Sequence, residues 1–285
     1  MYKITLEDEN QNRLEFNGLS PAYKITNISG LSPAKANINT NAAAFMDGAT
    51  FNSSKVGMRT INMAFTIEEP VEVNRLAVYR VIRTKKYLKL NYRTSKIEVF
   101  AEGYVESLNI THFANKQVAT MQMICPEPYF KKAQEQVDEM TNVYNMFHFP
   151  FWNEIDTNNI VFGRLTNTEQ AIVNNGGIET GLIIELYARD TIKNPKVFDY
   201  STGEFIGLNF TMQSADVITI NTIKGQKSIK LWRGGVESNI FNNLMKDSTW
   251  LQLAPDGSIY VFTVEEGLAS NLHIEIKHFD LYEGV

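Results

Sequence analysis

From Arg59 to Ile67 the chain alternates, with Ile61, Met63, Phe65 and Ile67 on one side and Thr60, Asn62, Ala64 and Thr66 on the other. A period of two predicts a strand with one buried face. Shorter strand-like stretches precede it at Tyr2–Leu6, Arg13–Phe16 and Ala22–Ser29, punctuated by the turn signals Asn17-Gly18 and Ser20-Pro21. Others follow at Tyr87–Tyr92, Ile97–Val105, Ser107–Ile110 and Val118–Cys125. Leu31–Lys55 breaks this rhythm. It is rich in Ala, Asn, Ser and Thr, contains Asp47-Gly48, and reads as a long loop or extended arm; a loop of that length is usually functional. One helix is predicted, with Pro70 at its start, Glu72 in its first turn and Lys85-Lys86 closing it. Leu76, Tyr79 and Ile82 are expected on one face, with Arg75, Arg80 and Arg83 turned elsewhere as a solvated surface or a contact for an acidic neighbour.

The run Cys125-Pro126-Glu127-Pro128-Tyr129-Phe130 stops this pattern, because two prolines so close hold the backbone extended. We place a domain boundary there, giving domains of 1–130 and 131–285. Lys131–Thr141 is polar and reads as a short helix or a linker. Beyond it, strand-like segments recur at Gly181–Ala188, Glu204–Met212, Val217–Ile220, Ser228–Leu231, Trp250–Leu253, Ser258–Val264 and Leu272–Phe279. Turn signals such as Asn175-Gly176-Gly177, Thr202-Gly203, Gly234-Gly235 and Asp256-Gly257 separate them. Many short strands at this spacing predict a β-sandwich. The fold class expected for the whole chain is therefore mainly β.

Charge supports the same division. Residues 1–130 carry 15 Lys and Arg against 12 Asp and Glu, a net +3, and residues 131–285 carry 12 against 20, a net −8. Neither half has the clustered basic face of a nucleic-acid binder. No apolar run approaches the roughly 20 residues that span a bilayer, and the start Met1-Tyr2-Lys3-Ile4-Thr5-Leu6-Glu7-Asp8 lacks a signal core, so synthesis in a cytoplasm without membrane insertion is expected. With a single cysteine, Cys125, an internal disulfide and a cysteine-based zinc site are excluded. Its neighbours Met121, Met123, Ile124 and Pro126 predict a buried, inert thiol.

Catalytic signatures are sparse. His112, His148, His273 and His278 lie in no nucleophile elbow, and none has helical metal-ligand spacing. His273 and His278, five apart on a predicted strand, are expected on opposite faces. Glu68-Glu69 and Glu265-Glu266 could supply paired carboxylates for glycoside hydrolysis, but neighbours in a strand face apart. No phosphate-cradling GxxxxGK[ST] or GxGxxG is present. No enzyme activity, cofactor or metal is expected. Trp250 begins an apolar strand and reads as core, whereas Trp152, within Phe147-His148-Phe149-Pro150-Phe151-Trp152, and Trp232 read as either core or an interface. An aromatic platform for a sugar is the alternative role for these two.

Taken in order, three stretches resemble the distal tail proteins of siphophages that infect Gram-positive bacteria. The first is Met58-Arg59-Thr60-Ile61-Asn62-Met63-Ala64-Phe65 with the following helix and Lys89-Leu90-Asn91-Tyr92. The second is Met123-Ile124-Cys125-Pro126-Glu127-Pro128-Tyr129-Phe130. The third runs from Asn174-Asn175-Gly176 through Asn194-Pro195-Lys196-Val197, Asp216–Thr222 and Trp250-Leu251-Gln252-Leu253 to Tyr282-Glu283-Gly284-Val285. One departure is the turn Pro255-Asp256-Gly257, where the family often has a Pro-Gly-Asn type. The resemblance implies an N-terminal β-sandwich or split-barrel belt domain with one helix, and a C-terminal galectin-like β-sandwich. It further implies a homo-hexameric ring at the virion tail tip, between the tail tube protein and the tail-associated hub and receptor-binding or baseplate proteins. In such a ring Leu31–Lys55 would be an arm reaching a neighbouring subunit, with Phe45, Met46 and Phe51 as its apolar anchors. The alternative function is a carbohydrate-binding module for host cell-wall glycans.

Overall fold

The computed structural model describes residues 2–42, 44–45, 47–140, 143–145, 163–165 and 169–285. The chain divides into two compact units: residues 1–134 with 281–285, and residues 135–280.

The first unit is built on antiparallel strands: β1 (Lys3–Asp8), β2 (Arg13–Asn17), β3 (Tyr23–Ser29), β4 (Ala36–Asn41), β5 (Thr50–Val56), β6 (Arg59–Ile67), β7 (Tyr87–Arg93), β8 (Glu98–Ile110), β9 (Gln117–Cys125) and β10 (Phe130–Lys132). Its main sheet runs in the order β2-β1-β7-β8-β9-β6-β3. The alternation predicted for β6 is present over its full length, with Ile61, Met63, Phe65 and Ile67 buried. They share a core with Ile4, Leu6, Phe16, Leu88 and Leu90. Phe16 meets Phe65 edge-on at 4.8 Å between ring centroids, the geometry aromatic quadrupoles prefer. The two strands expected at 97–105 and 107–110 are one long strand, β8, whose register shifts between Val105 and Ser107. The extra residue there is a β-bulge, which the sequence shows only as a lapse in alternation.

The helix, α1 (Val71–Val81), follows Pro70 but buries a different face from the one expected. Val78, Val81 and the capping Ile82 are buried, and Val71 and Ala77 pack beside them. Leu76 is 57% exposed and Tyr79 is also turned to solvent. In an eleven-residue helix with apolar residues on several sides, the sheet beneath selects the face. Leu31–Lys55 is also corrected. It contains strands β4 and β5, paired as a hairpin from Ala36↔Val56 to Asn41↔Thr50, with Gly48 (φ +90°) near its tip. Cross-strand hydrogen bonds satisfy its backbone without a buried face, so no hydrophobic alternation marked it.

The second unit contains β11 (Gln136–Glu139), β12 (Val143–Asn145), β13 (Gly163–Leu165), β14 (Glu169–Ile172), β15 (Thr180–Gly181), β16 (Ile183–Ala188), β17 (Ile192–Lys193), β18 (Lys196–Asp199), β19 (Phe205–Gly207) and β20 (Thr211–Met212). It continues with β21 (Val217–Asn221), β22 (Ser228–Arg233), β23 (Val236–Asn239), β24 (Gln252–Leu253), β25 (Ser258–Thr263) and β26 (Leu272–His278). A six-stranded sheet, β11-β26-β16-β21-β22-β23, and a four-stranded sheet, β14-β25-β18-β19, enclose one apolar core. Ile184, Leu186, Ile218, Ile220, Ile274 and Ile276 face Val197, Ile206, Tyr260 and Phe262 across it. Residues 136–139, read from sequence as a helix or linker, form edge strand β11 against β26. The last strand, β27 (Leu281–Tyr282), pairs with β10 and so joins the first unit, although it follows the second in sequence.

Candidate functional site

In the first unit the β4–β5 hairpin stands out from the sheet. Every residue of β4, and all of β5 but Val56, is exposed. Ile38 and Phe51 lie open on its strands, and Phe45, near the tip, is 100% exposed. Met46 lies outside the described residues. Helix α1 adds a second open surface. Val73, Leu76 and Tyr79 recur at three-residue spacing on its outer side, and Arg80 and Arg83 are exposed beside them. Arg75 is half-buried and reaches Gln117 Oε1 at 3.3 Å, while Arg83 pairs with Asp8 at 3.5 Å. The structure therefore combines apolar and basic side chains that the sequence reading had assigned to separate faces.

The base of the hairpin is held by a residue that the sequence reading passed over. Arg59 is 2% exposed. Its Nε donates to Pro128 O at 2.6 Å, and Nη1 donates to Ser32 O at 2.7 Å and also to Gly30 O. Nη2 donates to Glu283 O, and the guanidinium lies 4.3 Å from the centroid of the Phe130 ring. One cation thus ties the strand leading into the hairpin, the Pro126-Glu127-Pro128 run and the segment after β27. Carbonyl dipoles and an aromatic face solvate it, which is how a guanidinium can be buried at acceptable cost. Burial lowers its pKa, an effect that neighbouring Cys125 opposes, yet an arginine stays charged. Gly30 is required in this arrangement. At φ +92°, a Cβ there would stand 2.2 Å from Thr60 O. The signal was present in the sequence: Arg59 lies two residues before Ile61, on the inward side of the alternation.

Most of the groups weighed for chemistry have structural partners, although the two buried ring nitrogens of His278 make no hydrogen bond to a described residue. Glu68 accepts from Thr66 Oγ1 at 2.8 Å, and Glu69 from the Val71 N–H at 3.2 Å. Glu265 and Glu266 meet Asn194 and Lys193. His112 contacts the Tyr79 hydroxyl at 3.4 Å on the surface. His148 lies outside the described residues. His273 and His278 occupy opposite faces of β26, as strand geometry requires. The His278 side chain is 0% exposed beside equally buried Asp280, 3.5 Å away, where no substrate can reach.

Cys125 is buried, and burial pushes its thiol up to about 11 even though Arg59 stands directly opposite across β6 and β9. Sequence neighbours gave no hint of that cation. At pH 8 the thiolate fraction is then about one in a thousand. The folded protein should leave a thiol reagent such as dithionitrobenzoate unreacted, and unfolding in urea should release one thiol per chain. Rapid reaction of the native protein would contradict this.

Trp250 packs against the second core and stacks on Phe241 at 5.6 Å. Trp232 instead points outward from β22 and is 50% exposed, opposite Val217 and Glu237 on the flanking strands. Trp152 lies outside the described residues.

Residues 175–277 match the family model described as siphovirus-type tail component, C-terminal domain. No curated protein sequence matches. Among solved structures, the chain is similar to the Dit (gp 19.1) protein of SPP1, described as a paradigm of the hub adsorption apparatus in Gram-positive-infecting phages. Identity is 12% and the TM-score 0.66, over 96% of this chain and 98% of that one. A chain of the phage P2 baseplate in its activated conformation with Ca is similar at 13% identity and a TM-score of 0.50, over 97% of each. Residues 175–277 thus match the C-terminal domain of siphovirus-type tail components, and the chain as a whole shares the mainly β fold of the SPP1 Dit protein.

Proposed function

We propose that this chain is a structural component of a phage tail tip, not an enzyme. Its first unit closes head-to-tail with five further copies into a hexameric ring. That ring joins the tail tube to the tail-associated hub and to receptor-binding or baseplate proteins. The second unit is a galectin-like sandwich displayed by the ring. The observation that carries this reading is the β4–β5 hairpin, whose Ile38, Phe45 and Phe51 are exposed on a backbone anchored at its base. Large apolar side chains on a projecting arm incur a hydration cost that a neighbouring subunit removes. A heterologous contact repeated by rotation either closes a ring or runs on as a filament. Exposed Val73, Leu76 and Tyr79 with Arg80 and Arg83 on α1 offer an apolar and basic surface of the same kind. Negative-stain electron microscopy of the purified protein tests this reading. Six-fold rings with a central channel are expected, and exclusively monomeric particles would overturn self-assembly.

The outward-facing Trp232 supports a second reading, in which the sandwich holds a cell-wall glycan against the indole. On that reading host wall polysaccharide retains the native protein in a pull-down and fails to retain Trp232→Ala. The ring reading expects neither protein to be retained.

A further inference from the structure

A row of like charges crosses the outer face of the second unit's larger sheet. Glu139 on β11 stands directly opposite Glu275 on β26, which stands directly opposite Glu185 on β16. Like charges facing one another across strands are destabilising, so each carboxylate needs a counter-charge. At one end of the row this is supplied. Lys277 donates to Glu185 Oε2 at 2.9 Å and lies 3.5 Å from Glu275 Oε2. The Tyr187 hydroxyl donates to Glu185 and, at 3.4 Å, to the same Glu275 Oε2. Desolvation would raise the pKa of Glu185, and these two donors reverse that and hold it below the usual carboxylate value.

The other end is arranged differently. With Oε2 of Glu275 turned to Lys277 and Tyr187, its Oε1 lies 3.4 Å from His273 Nε2. One ligand atom each from Glu139, His273 and Glu275 falls within 4.8 Å of the others. The ring of His273 lies against that of Tyr187, with centroids 5.5 Å apart, which fixes the imidazole on the sheet. Glu139 is exposed and free to adjust, whereas the His273 and Glu275 side chains are only 20% and 23% exposed.

We infer that Glu139, His273 and Glu275 form a binding site for a divalent transition-metal ion, with zinc as the fitting one. An imidazole nitrogen with two carboxylate oxygens suits zinc, at about 2.0–2.2 Å from each ligand atom, with water completing a tetrahedron. Such geometry sets ligand atoms about 3.3 Å apart, so the two atoms on β26 are already close to position and the exposed Glu139 side chain closes the site. A hard ion such as magnesium favours all-oxygen sites and is disfavoured by the imidazole. The dication supplies a counter-charge for Glu139 and a second one for Glu275, which already shares Lys277 with Glu185. It would also fasten the edge strand β11 to β26. Sequence spacing did not disclose this, because His273 and Glu275 are two apart on a strand and the third ligand comes from the far end of the unit.

The test is isothermal titration of the chelator-treated full-length protein with zinc chloride alone. One equivalent per chain is expected, with a rise in the melting temperature of the second unit. Losing a ligand should cost at least the roughly 10- to 100-fold that losing an outer-shell partner costs, so Glu139→Gln and His273→Ala should each weaken binding by that factor or more. Glu139 is exposed on an edge strand, and circular dichroism checks that its variant stays folded. His112→Ala, which alters a surface histidine of the first unit, should bind as the native protein does. Absence of zinc binding, or binding that survives both Glu139→Gln and His273→Ala, would overturn the assignment.

Discussion

Replacing Arg59 with alanine should lower the stability of the first unit by about 3–5 kcal/mol, the usual scale for removing one partner from a buried charge network. In a unit of this size that corresponds to a drop of roughly 10 °C or more in its melting transition. The loss has two parts. The guanidinium's packing on Phe130 disappears, and the carbonyls of Gly30, Ser32, Pro128 and Glu283 lose the donor that satisfies them. Two further variants separate these parts. Arg59→Met restores much of the volume but no donor, and should recover little if the orphaned carbonyls dominate. Arg59→Lys keeps the charge but cannot reach three separate segments with one ammonium, and should fall between. Differential scanning calorimetry reads all three, with the second unit's transition as the internal reference. A melting profile unchanged by Arg59→Ala would show that the clamp contributes little.

Shortening the hairpin should have the opposite signature, with stability kept and assembly lost. Ala36 and Val56 are register partners, so an Asn-Gly pair can replace residues 37–55 as a two-residue turn between them. The excised strands bury almost nothing, so little apolar burial is forfeited. The shortened protein should unfold at the native temperature yet run as a monomer in light scattering, with no rings under the electron microscope. Phe45→Ser should weaken assembly in the same direction, because that side chain is fully exposed in the single chain and would be buried in the ring. Rings formed by the shortened protein would remove the hairpin from the interface and leave the outer side of α1 as the surface to disrupt next.

These two experiments fall on residues that were unequally legible in the sequence. The strands of both units followed from a local property, since apolar side chains every second residue must share a face wherever the strand is buried on one side. Thus β6 could be placed from Arg59 to Ile67, and β26 closely, without any long-range information. The inert thiol of Cys125 followed in the same way from its apolar neighbours. The order of motifs along the chain carried the resemblance, and the fold shared with the SPP1 protein at 12% identity agrees with it.

What the sequence left undecided depends on which surfaces meet. Two faces of α1 were apolar enough to be buried, and the packing of β1, β2 and β6 against it selected Val78 and Val81 over Leu76 and Tyr79. The hairpin of β4 and β5 has no buried face, so its pairing rests on backbone hydrogen bonds that no side-chain pattern encodes. Arg59 showed as an inward position, but that three distant stretches converge on it required the pairing of β10 with β27. The facing of Glu139 and Glu275 likewise exists only once β11 docks on β26. Alternation along a strand is a property of neighbours in the chain and survives in a string of letters. The partners of an edge, a clamp or a charged row are brought together by closure of the sheets, and no local pattern records them.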